Sequence, residues 1–225
     1  GGYGGMYGIS ERQPGQKPAD EKPLNAAALA EITRIPHVKA VSPVVEMQGN
    51  LKLKKMYGYA QIMGIDERYF EDFGLKPAQG RGLLAGESGK AIGGEEHNFY
   101  DPNQLSYSGP PKEVTLLDTK IDLVLSDMID TSTPSPFDEQ PTTQLPKAPV
   151  KKIEIVGMLG DQSYEYANAL IMPLKEVEKL KKEKDEYTKK LNAAQQQQGN
   201  VERFGSDRKN DKNTYSRILI KADDI

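Results

Sequence analysis

The sequence predicts an α+β fold, and three observations carry that prediction. Two helical stretches are separated by most of the chain: an Ala-rich one stopped by Pro36 and a long charged one that follows Pro173. Between and after them lie runs with the two-residue apolar alternation of half-buried strands. No catalytic or cofactor motif interrupts these elements. Within 225 residues the chain has no Cys and no Trp, and 30 basic residues against 33 acidic ones leave a net charge of −3. The absence of Cys removes disulfide, thiolate-zinc and thiol-nucleophile chemistry. The near-neutral balance argues against a dedicated nucleic-acid binder. No apolar run approaches the roughly 20 residues that cross a bilayer.

The elements follow in order. Residues 1–23 read as a flexible tail, with Gly crowded at the start and then Pro14, Gly15, Pro18 and Pro23 among charges. Asn25 is the expected N-cap of a helix over Ala26–Ile35, with Leu29, Ile32 and Ile35 on one stripe. Residues 38–65 read as a hairpin that turns at Tyr57-Gly58. Asp66 is expected to cap a short helical segment, Glu67–Phe73, that ends at Gly74. Gly80-Arg81-Gly82, Gly86, Gly89 and Ala91-Ile92-Gly93-Gly94 read as a connector. Val114–Leu117, Lys120–Leu125, Val150–Leu159 and Ala169–Met172 are strand candidates. Thr131–Pro149, with five Pro, reads as a mobile loop. Leu174 to about Gln196 is a solvated helix with a thin stripe of Leu174, Val177, Leu180, Tyr187 and Leu191. Asn200–Asn213 reads as a polar loop, and Tyr215–Ala222 as a closing strand.

The search for chemistry yields little. A zinc site wants three or four convergent ligands. His37 and His97 are the two histidines, and Glu96 beside His97 would point elsewhere. Both histidines therefore read as solvated polar residues. Gly86-Glu87-Ser88-Gly89-Lys90 resembles part of a phosphate loop, but Ala91 stands where the hydroxyl should be, so it reads as turns. Ser42, Ser88 and Ser126 have no placed base, and the acidic pairs Asp66-Glu67, Glu71-Asp72 and Asp223-Asp224 are unremarkable among 33 acids. No catalytic, cofactor-binding or metal-ligating residue is assigned, no cofactor is implied, and substrate or partner contacts stay unknown.

One series of motifs points to a family. Ile35-Pro36-His37-Val38-Lys39-Ala40-Val41-Ser42-Pro43 is followed by Ile62-Met63-Gly64-Ile65-Asp66, Tyr69-Phe70, Leu75 and Gly80-Arg81-Gly82-Leu83. Later come Ile155-Val156-Gly157-Met158-Leu159, Ala169-Leu170-Ile171-Met172-Pro173-Leu174 and Tyr215–Asp224. In this order the series resembles the MacB-type periplasmic core domain of FtsX-like ABC transporter permeases, over about residues 24–225. The helix usual after the glycine connector is only partly matched by Ile92–Tyr100.

The resemblance implies a porter-like α/β-sandwich lobe, residues 24–80 plus 205–225, carrying an inserted, mostly β, Sabre-like lobe, residues 81–204. It implies a non-enzymatic domain on the extracellular (Gram-positive) or periplasmic side of a cell membrane. That domain would transmit ATP-driven motion for export of peptides, antibiotics or lipoproteins. Implied partners are an ABC ATPase subunit, a second permease copy in a dimer and a membrane-fusion or adaptor protein, with no nucleic acid. Two other readings stand beside it: a cell-surface binding or adhesion module, and a hydrolase using an acidic pair.

Overall fold

A computed structural model describes residues 24–101, 112–127, 145–160, 164–197 and 215–223. The elements are α1 (Ala26–Thr33), β1 (Val38–Leu53), β2 (Met56–Ile65), β3 (Gln79–Gly80), β4 (Lys90–Gly93), β5 (Asn98–Tyr100), β6 (Lys112–Glu113), β7 (Lys120–Val124), β8 (Val150–Met158), β9 (Ala169–Pro173), α2 (Leu174–Gln197) and β10 (Arg217–Ala222). The fold is mixed α and β and dominated by its sheet.

Six strands close into a ring. β1 pairs antiparallel with β2, β2 runs parallel to β9, and β9 lies antiparallel to β4. Then β4 runs parallel to β8, β8 pairs antiparallel with β7, and β7 returns antiparallel to β1. Closure satisfies the strand edges that an open sheet would leave bare. β1 and β2 come from residues 24–80, and the other four ring strands come from 81–204. The two expected segments therefore share one closed core, and the boundary near residue 80 does not separate two cores.

Alternation along the strands sorts the core into two layers. Val45, Met47 and Leu51 of β1, Ala60 and Ile62 of β2, Leu123 of β7, Ile153 and Ile155 of β8, and Leu170 and Met172 of β9 fill the ring. Their neighbours Met63, Ile65, Ala169 and Ile171 belong to a second cluster, with Val44, Phe70, Leu75, Ile92 and Leu159. Each fully buried aliphatic side chain is worth about 2 kcal/mol in transfer terms.

Helix α2, about 36 Å long at 1.5 Å per residue, lies across one end of the ring. Val177 and Leu180 join the interior cluster. A Cβ on Gly64 would stand 2.7 Å from Val177, so glycine lets the helix sit directly on β2. Lys184 donates to the Gln48 carbonyl at 3.0 Å and pairs with Asp127, and Lys151 reaches Glu183 at 2.6 Å. The expected helix is therefore present, and its stripe caps the ring.

Several expectations change. The hairpin turns at Lys54-Lys55, and Tyr57 lies inside β2 opposite Lys52. Gly58 is a packing residue: a Cβ there would meet the Asn98 carbonyl at 2.8 Å and Phe99 at 3.2 Å. Residues 90–93 form β4 at the centre of the sheet, and 98–100 form β5, so no helix spans 92–100. Val114–Leu117 is irregular, with Leu116 buried. α1 ends at Thr33, buries no residue, and leaves Ile35 54% exposed, so the expected stripe does not reach a core. Only Glu67–Tyr69 of the segment after Asp66 is helical, in 3-10 form. The expected loop 131–149 is irregular over 145–149, and its remainder lies outside the described residues, as do 1–23, all of 200–213 and Asp224.

Candidate functional site

The motif-bearing stretches converge on a joint between the ring and a two-stranded ribbon. The first part of β1 leaves the ring and pairs antiparallel with β10, from Val38 opposite Ala222 to Val44 opposite Arg217. β1 is thus one continuous strand of 16 residues shared by ribbon and ring, about 50 Å long at 3.3 Å per residue. The Asp223 amide donates to the His37 carbonyl at 2.8 Å, and the Tyr215 amide donates to the Leu24 carbonyl at 2.7 Å. The start of β1 and the finish of β10 therefore lie side by side.

Ser42 locks the β1 end of this joint. It is wholly buried, accepts a hydrogen bond from the Asp66 amide at 2.8 Å and donates to the Pro43 carbonyl at 2.9 Å. A buried hydroxyl needs such partners, because leaving it unpaired costs on the order of 1–3 kcal/mol. Asp66 in turn accepts from the Arg68 amide at 3.1 Å and from its guanidinium. The Arg68 hydrogen bond is the main reason the Asp66 carboxyl lies below its ordinary range. Lys39 pairs with Asp72 at 2.8 Å. Phe70 and Leu75 then fold over the outer face of the ring, with the Leu75 amide on the Phe70 carbonyl at 2.8 Å.

A second contact ties two glycine motifs together. β3 pairs Gly80 with Gly157 of β8. A Cβ on Gly80 would lie 2.4 Å from the Val156 carbonyl oxygen, and one on Gly157 would lie 2.4 Å from that of Arg81. Gly80 also holds φ +74°, which an L side chain tolerates poorly. Arg81 then pairs with Glu87 through bonds of 2.7 and 2.9 Å, and Glu87 also accepts from the Leu84 amide at 2.8 Å. Those contacts, Arg81 first, hold the Glu87 carboxyl at about 2. The glycine-rich stretch is thus an ordered turn closed by an ion pair, with no phosphate-loop geometry.

The third lock is Arg217 of β10. It donates to Glu46 of β1 at 2.8 Å through Nε and also pairs with Glu165, in the turn before β9. One guanidinium therefore joins ribbon and ring through two carboxylates.

Ile65, Phe70, Leu75, Leu159, Ala169 and Ile171 belong to the outer cluster, and the partly buried Leu83 and Leu219 pack against it. They come from seven of the stretches that carry the sequence resemblance. Residues far apart in the chain thus form one packed unit.

The remaining candidates separate. Ser126 is buried, its carbonyl accepting from Asn50, and Ser88 is exposed. Asp66 and Asp72 are engaged in ion pairs. Among the described residues no three His, Asp or Glu side chains converge as a metal site would require. His37 holds φ +67° at the approach to β1. His97 overturns its expected solvation, being 1% exposed. Burial lowers it to about 4, the Gly94 backbone offsets this slightly, and neither ring nitrogen completes a hydrogen bond. Its signal was the alternation it shares with buried Phe99, obscured by the preceding Glu95-Glu96. Sequence reasoning also missed Glu176, whose carboxylate accepts from the Gly89 amide at 2.7 Å and is raised by burial.

No family model and no curated protein matches the chain. Solved structures similar to it include two extracytoplasmic transporter domains. One is the extracellular domain of the noncanonic ABC-type transporter YknZ from Gram-positive bacteria, with a TM-score of 0.44 and 10% identity, covering 90% of this chain and 74% of that one. The other is the periplasmic region of MacB from Actinobacillus actinomycetemcomitans, with a TM-score of 0.40 and 16% identity, covering 69% of this chain and 57% of that one. Among the described residues no helix is long and apolar enough to cross a membrane.

Proposed function

We propose that this chain is the extracytoplasmic domain of a MacB-type ABC transporter permease, and that it works as a lever. In this reading the permease's membrane helices join the ribbon, where the start of β1 and the finish of β10 lie together. ATP hydrolysis by a separate cytoplasmic ATPase displaces that end, and β1 carries the displacement into the ring. The porter-like part is then residues 24–80 plus 205–225, and 81–204 is an insert whose strands complete the ring. The cargo class is peptides, antibiotics or lipoproteins. A second permease copy and an adaptor protein complete the assembly.

One observation supports the reading above the others. The motifs that resemble the family pack as a single unit at the point where ribbon meets ring. A lever needs a stiff joint there, and the locks at Ser42 and Arg217 supply one.

The test is topological. The chain contains no Cys, and Leu84 is 61% exposed, so a Leu84→Cys variant of the parent polypeptide gives a single reporter in this domain. A membrane-impermeant maleimide is expected to label it in intact cells, and the labelled polypeptide is expected to co-purify with an ATPase. Labelling only after lysis would overturn the proposal. Labelling without an associated ATPase would favour the adhesion module.

A further inference from the structure

The end of the ring opposite α2 carries a surface that the lever does not use. On the outer face of β1, β2 and β5, Lys52 stands opposite Tyr57 and Tyr57 opposite Tyr100. One row along, Asn50 stands opposite Tyr59, and Asn98 lies two residues before Tyr100 on the same face. Tyr59 is 53% and Tyr100 51% exposed, and Asn98 is exposed. At the hairpin tip beside them Lys52, Lys54 and Lys55 are all exposed. The Lys52 ammonium stands 5.7 Å from the Tyr57 ring centre. Among the described residues none of the three lysines forms an ion pair. Asp122, opposite Lys52 on β7, is engaged by Lys152 at 3.0 Å.

Backbone strain marks the same place. Lys54 holds φ +56°. Gly or Asn is the usual residue at such a turn position, and a Lys there is strained. The tip therefore carries a positive charge where fold stability alone would favour glycine. Strain of this kind concentrates where function requires it.

We propose that this face binds a polyanionic glycan, an extended carbohydrate polymer bearing carboxylates. The exposed tyrosine rings offer flat apolar faces to sugar rings, and tyrosine also offers its hydroxyl as a polar handle. The neighbouring Asn98 amide suits sugar hydroxyls, and the lysines complement the carboxylates. A peptide adding as a strand is disfavoured here, because β2 is paired on both sides at this point, with β1 and with β5. The site stands apart from the permease reading and survives its failure.

The experiment titrates the chain with a galacturonate decamer, a malto-oligosaccharide of equal length and vesicles of anionic phospholipid. The galacturonate decamer is expected to bind, and to weaken as salt rises from 50 to about 300 mM. The neutral oligomer is expected to bind at least about tenfold more weakly. Combining Tyr59→Ala with Tyr100→Ala is expected to weaken galacturonate binding about tenfold. Lys54→Gly separates binding from folding: it should raise the melting temperature by relieving the strained turn while weakening the glycan. Absence of galacturonate binding would overturn the proposal. So would tyrosine variants that bind like the parent, or vesicle binding that exceeds glycan binding.

Discussion

The ring interior and the joint are both packed from Val, Ile, Leu, Met and Phe, yet they differ in how they are held. The interior is apolar from every strand and is closed by α2. Its integrity depends on filling a fixed volume. The joint combines an apolar cluster with named polar locks, Ser42 on Asp66 and Arg217 on Glu46 and Glu165. The contrast teaches that removing a methylene from the interior should weaken the whole molecule, whereas removing a lock should loosen the ribbon alone.

The largest expected effect tests the interior. Ile62→Ala empties a fully buried position and should cost about 4 kcal/mol. Chemical denaturation should show it, and hydrogen exchange should rise in ring and ribbon together. Loss of protection confined to β2 would break the comparison.

Next is a pH effect on the ring side. His97 is held at about 4 in the fold, against an ordinary 6.5. Between these values the unfolded chain binds the proton and the folded chain does not, so acid favours unfolding. The stability from a neutral His97 is complete above pH 6.5 and is lost as pH falls towards 4. The difference approaches about 3 kcal/mol. Denaturation midpoints across that window should fall steeply in the parent and much less in His97→Leu. Equal slopes would remove His97 from the account. The Glu87 carboxyl, at about 2, acts only at more acid pH.

Smaller effects test the locks. Ser42→Ala strands the Asp66 amide and should cost about 1–2 kcal/mol. Its exchange signature should concentrate in the start of β1 and in residues 66–75. Arg217→Met should cost about 1 kcal/mol, since the pair is partly exposed. Faster exchange should appear in β10 while Ile62 and Ile155 of the ring interior stay protected. Interior amides that loosen equally in this variant would show that ribbon and ring are not distinct units.

β8 and the short apolar strand β9 were legible in the sequence, as was the Pro-initiated helix α2. The ring was not legible. It depends on two parallel pairings, β2 with β9 and β4 with β8, between segments far apart in the chain, and no local pattern encodes them. β4 was hidden by its glycines, which resemble a connector. Gly93 and Gly94 are there for space, since a Cβ on Gly94 would fall 1.9 Å from the Tyr166 carbonyl oxygen. Gly58 misled in the same way, while the actual turn carries two lysines. The joint was half legible: its residues were singled out as motifs, but neither the Ser42 lock nor the position of Arg217 follows from spacing.

The central claim of the proposed function is that ribbon and ring move as one rigid body when the proposed ATPase partner turns over. Ile220 on β10 and Tyr59 on β2 are both about half exposed, and a chain without Cys accepts a spin label at each. Pulsed electron resonance on the parent permease, reconstituted in liposomes with its ATPase, would read two distances with and without ATP. The account predicts that the distance between positions 220 and 59 stays constant while the distance from 59 to a label in the bilayer changes. A shift between 220 and 59, or no change in either distance, would contradict it.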